Sequence, residues 1–384
     1  MADRPSKLGA RQLNRATLAR QLLLERASLD VLDAVHRIGA VQAQEPASPY
    51  VALWNRVAGF EAEALDRAFA EGSIVKGTMM RVALHAVDAA DYPVFHEAMQ
   101  PTLRAARLAD RRFRRTGLSG ADADALIPAV LGYTATPRTN AEAEAWLDLR
   151  LGETPKPGVW WALRQYGPFL HAPTGGPWSF GSRPSYVGAP EPLREGAPTP
   201  VEAMPGLIRR YLDAFGPASA QDVAQFGMLY APLVRAALAS LADELVTFRG
   251  PDGTELFDVP GGLLPEEHVA VPPRLIGMWD SVMLAYRDRS RIIPPEYRRR
   301  VIQSNGDTLP ALLVDGFVAG VWRPLDGGIE VTAFQPLPDD AWADLDAEAR
   351  GLRAFLAPRE PLVYGRYARW WDGKPAHEVR ILGG

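Results

Sequence analysis

Two glutamines separated by one small apolar residue, Gln42-Ala43-Gln44, are the side chains in this 384-residue chain whose type and spacing best suit chemistry. They lie in Ile38-Gly39-Ala40-Val41-Gln42-Ala43-Gln44-Glu45-Pro46, between two helical patterns. In an extended chain, side chains two apart point the same way. Gln42 and Gln44 are therefore predicted to share a face, with Val41 and Ala43 turned toward the core. Carboxamides do not ionise near neutral pH, so a site built on them is confined to holding a water or polarised ligand and stabilising charge with fixed dipoles. The structural alternative is a pair of glutamines that satisfy buried backbone groups at a strand end.

The neighbouring groups narrow the chemistry further. Glu45 is the nearest candidate base, but extended geometry points it away from Gln44, and it reads as a surface carboxylate. A lyase that works through a Schiff base needs a deprotonated lysine. Lys76 is the one lysine beside a motif, and it reads as a solvated strand-end residue, which argues against β-elimination. Arg81 and His85 stand four apart on a predicted strand and so share a face. They suit a cleft wall, with Arg81 on a phosphate and His85 on a base or sugar, although a lone histidine serves structure as readily. With no cysteine there is no disulfide, thiol nucleophile or thiolate metal site. The six histidines show no metal-ligand spacing in sequence, and no Walker or dinucleotide glycine fingerprint occurs. No metal and no cofactor are expected.

A net charge of -4 argues weakly against nucleic acid, but the distribution is uneven: 38 arginines against four lysines. Arg104, Arg107, Arg111 and Arg115 follow helical spacing with Arg112 and Arg114 beside them, a candidate phosphate-tracking stripe. Arg287, Arg289 and Arg291, then residues 298–300, form a second basic group. A charged run makes a solvated face just as well. Trp178 follows Thr174-Gly175-Gly176-Pro177 at the tip of a predicted β-wing, placed to insert beside a duplex or to cover its own hairpin. Residues 1–11 are polar without an apolar signal core, and no apolar run of about eighteen residues appears, so a cytoplasmic protein without a membrane span is expected.

The elements that must position these groups recur in one order. Leu13 to Leu24 and Leu29 to Ile38 have helical periodicity, Ser48-Pro49 opens another helix, and Ile74 to Val87 is rich in β-formers. Thr139-Asn140-Ala141-Glu142 is a capping-box pattern, and Ser219-x-x-Asp222 another. Gly250-Pro251-Asp252-Gly253 and Val314-Asp315-Gly316 mark hairpins. Helices followed by a strand pair, three times over, predict an α+β, mainly helical chain of three tandem winged-helix units with a small C-terminal β-barrel. The expected boundaries are 1–116, 117–204, 205–265 and 266–384.

Four motifs in sequence order carry a family resemblance: Gln42-Ala43-Gln44, the run Lys76-Gly77-Thr78-Met79-Met80-Arg81-Val82-Ala83-Leu84-His85, the run Trp279-Asp280-Ser281-Val282-Met283-Leu284-Ala285-Tyr286-Arg287-Asp288-Arg289, and the hairpin from Val314-Asp315-Gly316 to Gly320-Val321-Trp322. The chain resembles the winged-helix DNA glycosylases of the AlkZ type over residues 13–382. The resemblance implies a monofunctional DNA glycosylase whose Gln-apolar-Gln catalytic element maps onto Gln42 and Gln44. Ala43 is smaller than the usual aliphatic residue. A related branch, similar to YcaQ, carries aspartate where this chain has Gln44. The implied substrates are bulky N7-alkylpurines and crosslinks in double-stranded DNA, attacked by a monomer in repair or in self-resistance to a genotoxin. A non-catalytic winged-helix regulator and a protein that sequesters the genotoxin itself are the competing readings. The helix predicted over Ala231 to Leu241 carries only Arg235, too little positive charge for a regulator's recognition helix.

Overall fold

The computed structural model describes residues 6–152 and 156–384; the first five residues of the polar N-terminal stretch lie outside it. The opening helix runs Ala10–Arg20 and the second Val31–Ile38, started by Asp30, whose side chain accepts from the Asp33 amide. Gly39, at φ +82°, stops that helix and turns the chain into a two-residue strand.

Strands β1 (Val41–Gln42), β2 (Ile74–Thr78), β3 (Leu84–Asp88), β4 (Arg138–Thr139), β5 (Phe169–Ala172) and β6 (Ser185–Gly188) form one antiparallel sheet in the order β1-β3-β2-β5-β6-β4. The expected first and second units therefore share a sheet. The link is Gly77 on β2, which pairs with Leu170 on β5. Capping boxes at Ser119/Asp122, Thr139/Glu142, Thr199/Glu202 and Ser219/Asp222 start four helices, two of them foreseen. After the helices Pro200–Phe215, Ala220–Gly227 and Ala231–Ser240, strands β7 (Val246–Arg249) and β8 (Glu255–Asp258) make a two-stranded hairpin, bridged at its edges by Lys7 and Ala218.

The C-terminal region corrects the expected barrel. Strands β9 (Arg274–Ile276), β10 (Ala311–Val314), β11 (Phe317–Leu325), β12 (Gly328–Ala333) and β13 (Glu378–Leu382) lie in the order β13-β12-β11-β10-β9, and the two end strands do not pair. The sheet stays open because the helix Asp339–Leu356 packs on it and buries Leu345, Ala349 and Leu352. One face is thus covered by a helix rather than by closure. Asp315 (φ +50°) and Gly316 (φ +81°) form the tight β10–β11 turn. A Cβ at Gly316 would sit 2.6 Å from Asn14 Oδ1 and Leu18 Cδ1, so the turn docks on the first helix only as glycine.

Two large cores interlace the chain. One joins residues of the first helices, such as Val35, Val41 and Tyr50, to the C-terminal sheet through Leu312, Val321 and Trp322. The other joins β2 and β3 to the helices of the middle region through Val87, Tyr92, Leu163 and Phe215. The short strand bearing Gln42 runs between them: Val41 packs in the first core, Ala40 in the second. No described helix is long and apolar enough to cross a membrane.

Candidate active site

The loop after β1 is held at both ends. Ser281 Oγ donates to the Ala40 carbonyl at 3.0 Å, and Gln21 Nε2 donates to the Ile38 carbonyl at 3.1 Å. Beyond the strand, the Ala43 amide donates to Leu84 O at 2.8 Å. Beside Ser281, Asp280 receives a bidentate pair of 2.8 Å bonds from Arg56, both side chains 1% exposed. The Trp279-Asp280-Ser281 segment thus anchors the glutamine loop from the far end of the chain. Nothing in sequence signals this, because the bonded partners lie more than two hundred residues apart.

Val41 and Ala43 are buried as expected, but the glutamines do not share a face. Regular pairing ends at Gln42, and the chain bends at Gln44 to enter the helix Ser48–Trp54. Gln42 is 5% exposed and lines a small internal space with Ser48, Arg56 and Asp280. Its Oε1 accepts the Gln44 amide at 3.3 Å, which fixes the bend. Gln44 is exposed, its carboxamide has no partner among the described residues, and it projects into a groove of about 610 Å³.

That groove runs between β2, the helix Pro157–Tyr166, the β5–β6 loop and the C-terminal segment. Glu45, Lys76, Trp161, His171, Phe180 and Arg366 are among its lining residues. Two expectations are corrected here. Glu45 is buried rather than on the surface, since the bend turns it to the same groove as Gln44, where Arg366 and Tyr367 Oη bond its carboxylate. Burial raises its pKa, with Arg366 and Tyr367 opposing. Lys76 is not solvated: it sits inside β2 opposite Ala86, 4% exposed, with Nζ 4.1 Å from the centre of the Phe180 ring. Burial pulls its amine down to about 7, with Glu45 opposing. His171 is held well below the usual histidine range by burial and by the cations Lys76 and Arg164.

The other expected DNA contacts are dispersed. Arg81 is in the turn between β2 and β3, not on a strand, and neither it nor His85 lines the groove. Arg81 donates to His85 Nε2 at 3.3 Å, while the His85 Nδ1 proton goes to Ala83 O at 3.1 Å. His85 is fully buried, and desolvation with Arg81 beside it pushes its pKa down to about 3, so it is a neutral structural group. Arg81 and Val82 both adopt φ +55°, a costly conformation for a β-branched residue, and Val82 lines the groove.

The arginine stripe is broken. The helix Tyr92–Leu108 ends, and Asp110 caps a separate short helix, Arg111–Arg114. Arg104 is paired to Asp124 at 2.6 Å, and Arg107 lies 5.1 Å from the centre of the Trp161 ring at the groove wall. Arg112 lies 4.8 Å from that ring, while Arg111 and Arg115 are exposed. Trp178 is no wedge: it is 2% exposed and donates its indole N–H to Glu360 at 2.6 Å, stapling the β5–β6 loop to the C-terminal region. Arg287 lines a different cleft with Gln221 and Asp252, and Arg289 is partly buried. Among the described residues folding does bring one metal-compatible group together, His36, Asp88 and Asp91, but Arg210 Nε already holds both Asp91 oxygens at 3.1 Å.

A family model described as DNA glycosylase AlkZ-like matches residues 35–355, most of the chain. This chain belongs to the AlkZ-like family. A curated relative, the interstrand DNA cross-link repair glycosylase of Streptomyces sahachiroi, is 27% identical over 355 residues, covering 87% of this chain and 92% of the relative. The solved structure of the Streptomyces sahachiroi DNA glycosylase AlkZ superposes with a TM-score of 0.78 at 23% identity, over 92% of this chain and 99% of that one. The fold is therefore shared along nearly its whole length.

Proposed function

We propose that the protein is a DNA glycosylase that hydrolyses the N-glycosidic bond of bulky N7-alkylpurines in duplex DNA, unhooking interstrand crosslinks where such an adduct joins the strands. The observation that carries this reading is the unpartnered Gln44 carboxamide, fixed by Gln42 and projecting into an open groove. A purine alkylated at N7 is cationic and leaves readily, so its departure needs little acid assistance. Positive charge then develops on the sugar, and an oxygen dipole held in place stabilises it without reorganising. The same oxygen orients the attacking water. Gln42 acts through the bend it holds, and Glu45 adds negative charge to the same wall.

An open groove suits an adduct too large to be extruded into a tight pocket. The three helix–hairpin units are read as winged helices that grip the phosphates, with Arg107 and Arg112 over the Trp161 ring at the groove wall and Arg111 and Arg115 exposed on the same short segment. Glu45 is already engaged by Arg366 and Tyr367, and the two glutamines cannot ionise, so the site should favour lesions that are already activated. The test is incubation with duplexes bearing N7-alkylguanine or a defined interstrand crosslink, scoring abasic sites and strand separation. Release of the modified base by the parent, and its loss in the Gln42/Gln44 double variant, is the expected result. No release at saturating protein overturns the proposal.

A further inference from the structure

We propose that Val82 and Leu84 form an apolar step in the groove that seats the deoxyribose of the damaged nucleotide and rejects a ribose at the same place. The inference rests on the glycosylase reading, because it puts the reacting sugar beside Gln44. Both side chains are partly buried and line the groove. Val82 sits in the turn between β2 and β3 at φ +55°, directly after Arg81 at the same angle. That region is costly for any side chain and most costly for a branched one, whereas glycine enters it freely. Strain of this kind gathers at functional sites, where a side chain is held for what it meets. One flank of Val82 rests on the second core, and the residue also borders the groove. Leu84 is a large apolar residue at the start of β3, yet it joins neither core. The groove residues around this pair are mostly polar or charged, Glu45, Lys76 and Thr78 among them.

The step is fixed relative to Gln44. Leu84 O accepts the Ala43 amide at 2.8 Å, so one backbone hydrogen bond ties it to the residue before Gln44. The turn that carries Val82 is braced on both sides. The Val82 amide donates to Met79 O at 3.0 Å, and Arg107 reaches the Val82 carbonyl at 3.5 Å. Arg81 lies over the Phe226 ring and donates to His85. A deoxyribose offers an apolar methylene at C2′, and packing it on two aliphatic side chains removes apolar surface from water. A ribose carries a hydroxyl there, the group by which proteins tell RNA from DNA. Against Val82 and Leu84 that hydroxyl would lose water and gain no partner. C1′ is the adjacent atom, so the contact that excludes the hydroxyl also sets the approach of C1′ to the Gln44 carboxamide.

The experiment uses the full chain and two duplexes that differ by a single oxygen atom, with N7-methylguanine carried on a deoxyribose or on a ribose. Single-turnover base release at saturating protein is measured for the parent, Val82→Gly and Leu84→Ala. A 2′-hydroxyl slows departure of the base by its own inductive pull. The quantity read is therefore the deoxy-to-ribo rate ratio, divided by the same ratio for uncatalysed release. For the parent this should be about 10-fold or more, the effect of a hydroxyl desolvated without a partner. Each variant removes three carbons and should release the base from the deoxy duplex about 10-fold more slowly, with its ratio falling toward the uncatalysed one. Val82→Gly should do so while its melting temperature rises, and Leu84→Ala with little change, which separates the contact from the fold. A parent ratio equal to the uncatalysed one, a ratio unchanged in both variants, or a rate loss that more protein restores overturns the proposal. In each of those cases release from the deoxy duplex by the parent leaves the glycosylase reading standing, whereas no release from either duplex removes both.

Discussion

Gln44→Ala separates catalysis from stability cleanly. The side chain is exposed and its carboxamide bonds no donor or acceptor among the described residues, so truncation removes no contact of the described fold. A surface change of that kind shifts stability by no more than about 0.5 kcal/mol. Its effect on the reaction is bounded from above by oxyanion-hole donors, whose loss costs ~10²–10³ in rate, about 2.7–4 kcal/mol. The groove is open to water, which screens a dipole, so the lower end of that range is expected. Single-turnover release of N7-alkylguanine from a defined duplex, with thermal melting on the same samples, gives both quantities. Gln42→Ala should also slow release, and with a small stability loss, because it frees the Gln44 amide. The double variant should be little worse than Gln44→Ala, since the two act as one unit. A Gln44→Ala protein with unchanged single-turnover rate, or one whose rate loss is matched by a fall in melting temperature, would refute the assignment of Gln44 to the reacting centre.

Three further outcomes follow from the geometry. Asp280→Asn leaves the Arg56 guanidinium, 1% exposed, without its counter-charge and should cost about 3–5 kcal/mol in denaturant unfolding; a loss below about 1 kcal/mol would show that the pair does not anchor the loop. His85 carries a depressed pKa of about 3, so its contribution to stability is complete above its unfolded value near 6.5 and is lost as pH falls toward 3. Between pH 6.5 and 5 that amounts to about 2 kcal/mol, and His85→Gln should flatten this part of the stability curve measured by urea titration. Val82→Gly relieves a β-branched residue at φ +55° and should stabilise by about 0.5–1 kcal/mol after the entropy that glycine loses, again read in urea.

The sequence alone determined what is local or periodic. Capping boxes at Thr139 and Ser219, the Asp315-Gly316 turn, the burial of Val41 and Ala43, and the glutamine loop between two helices all follow from neighbours a few residues away. Tertiary structure decided which way each polar group faces. Gln42 and Gln44 parted because β1 lasts two residues and the chain must bend into the next helix. Glu45 and Lys76 went inward because Arg366, Tyr367 and Phe180 arrive from distant segments to wall the groove. Trp178 left its expected tip for Glu360, and an open sheet replaced a barrel because one helix covers it. Side-chain periodicity reports the direction of a residue only while regular backbone continues. At a bend, direction is set by contacts from segments distant in sequence, as Arg366 sets Glu45.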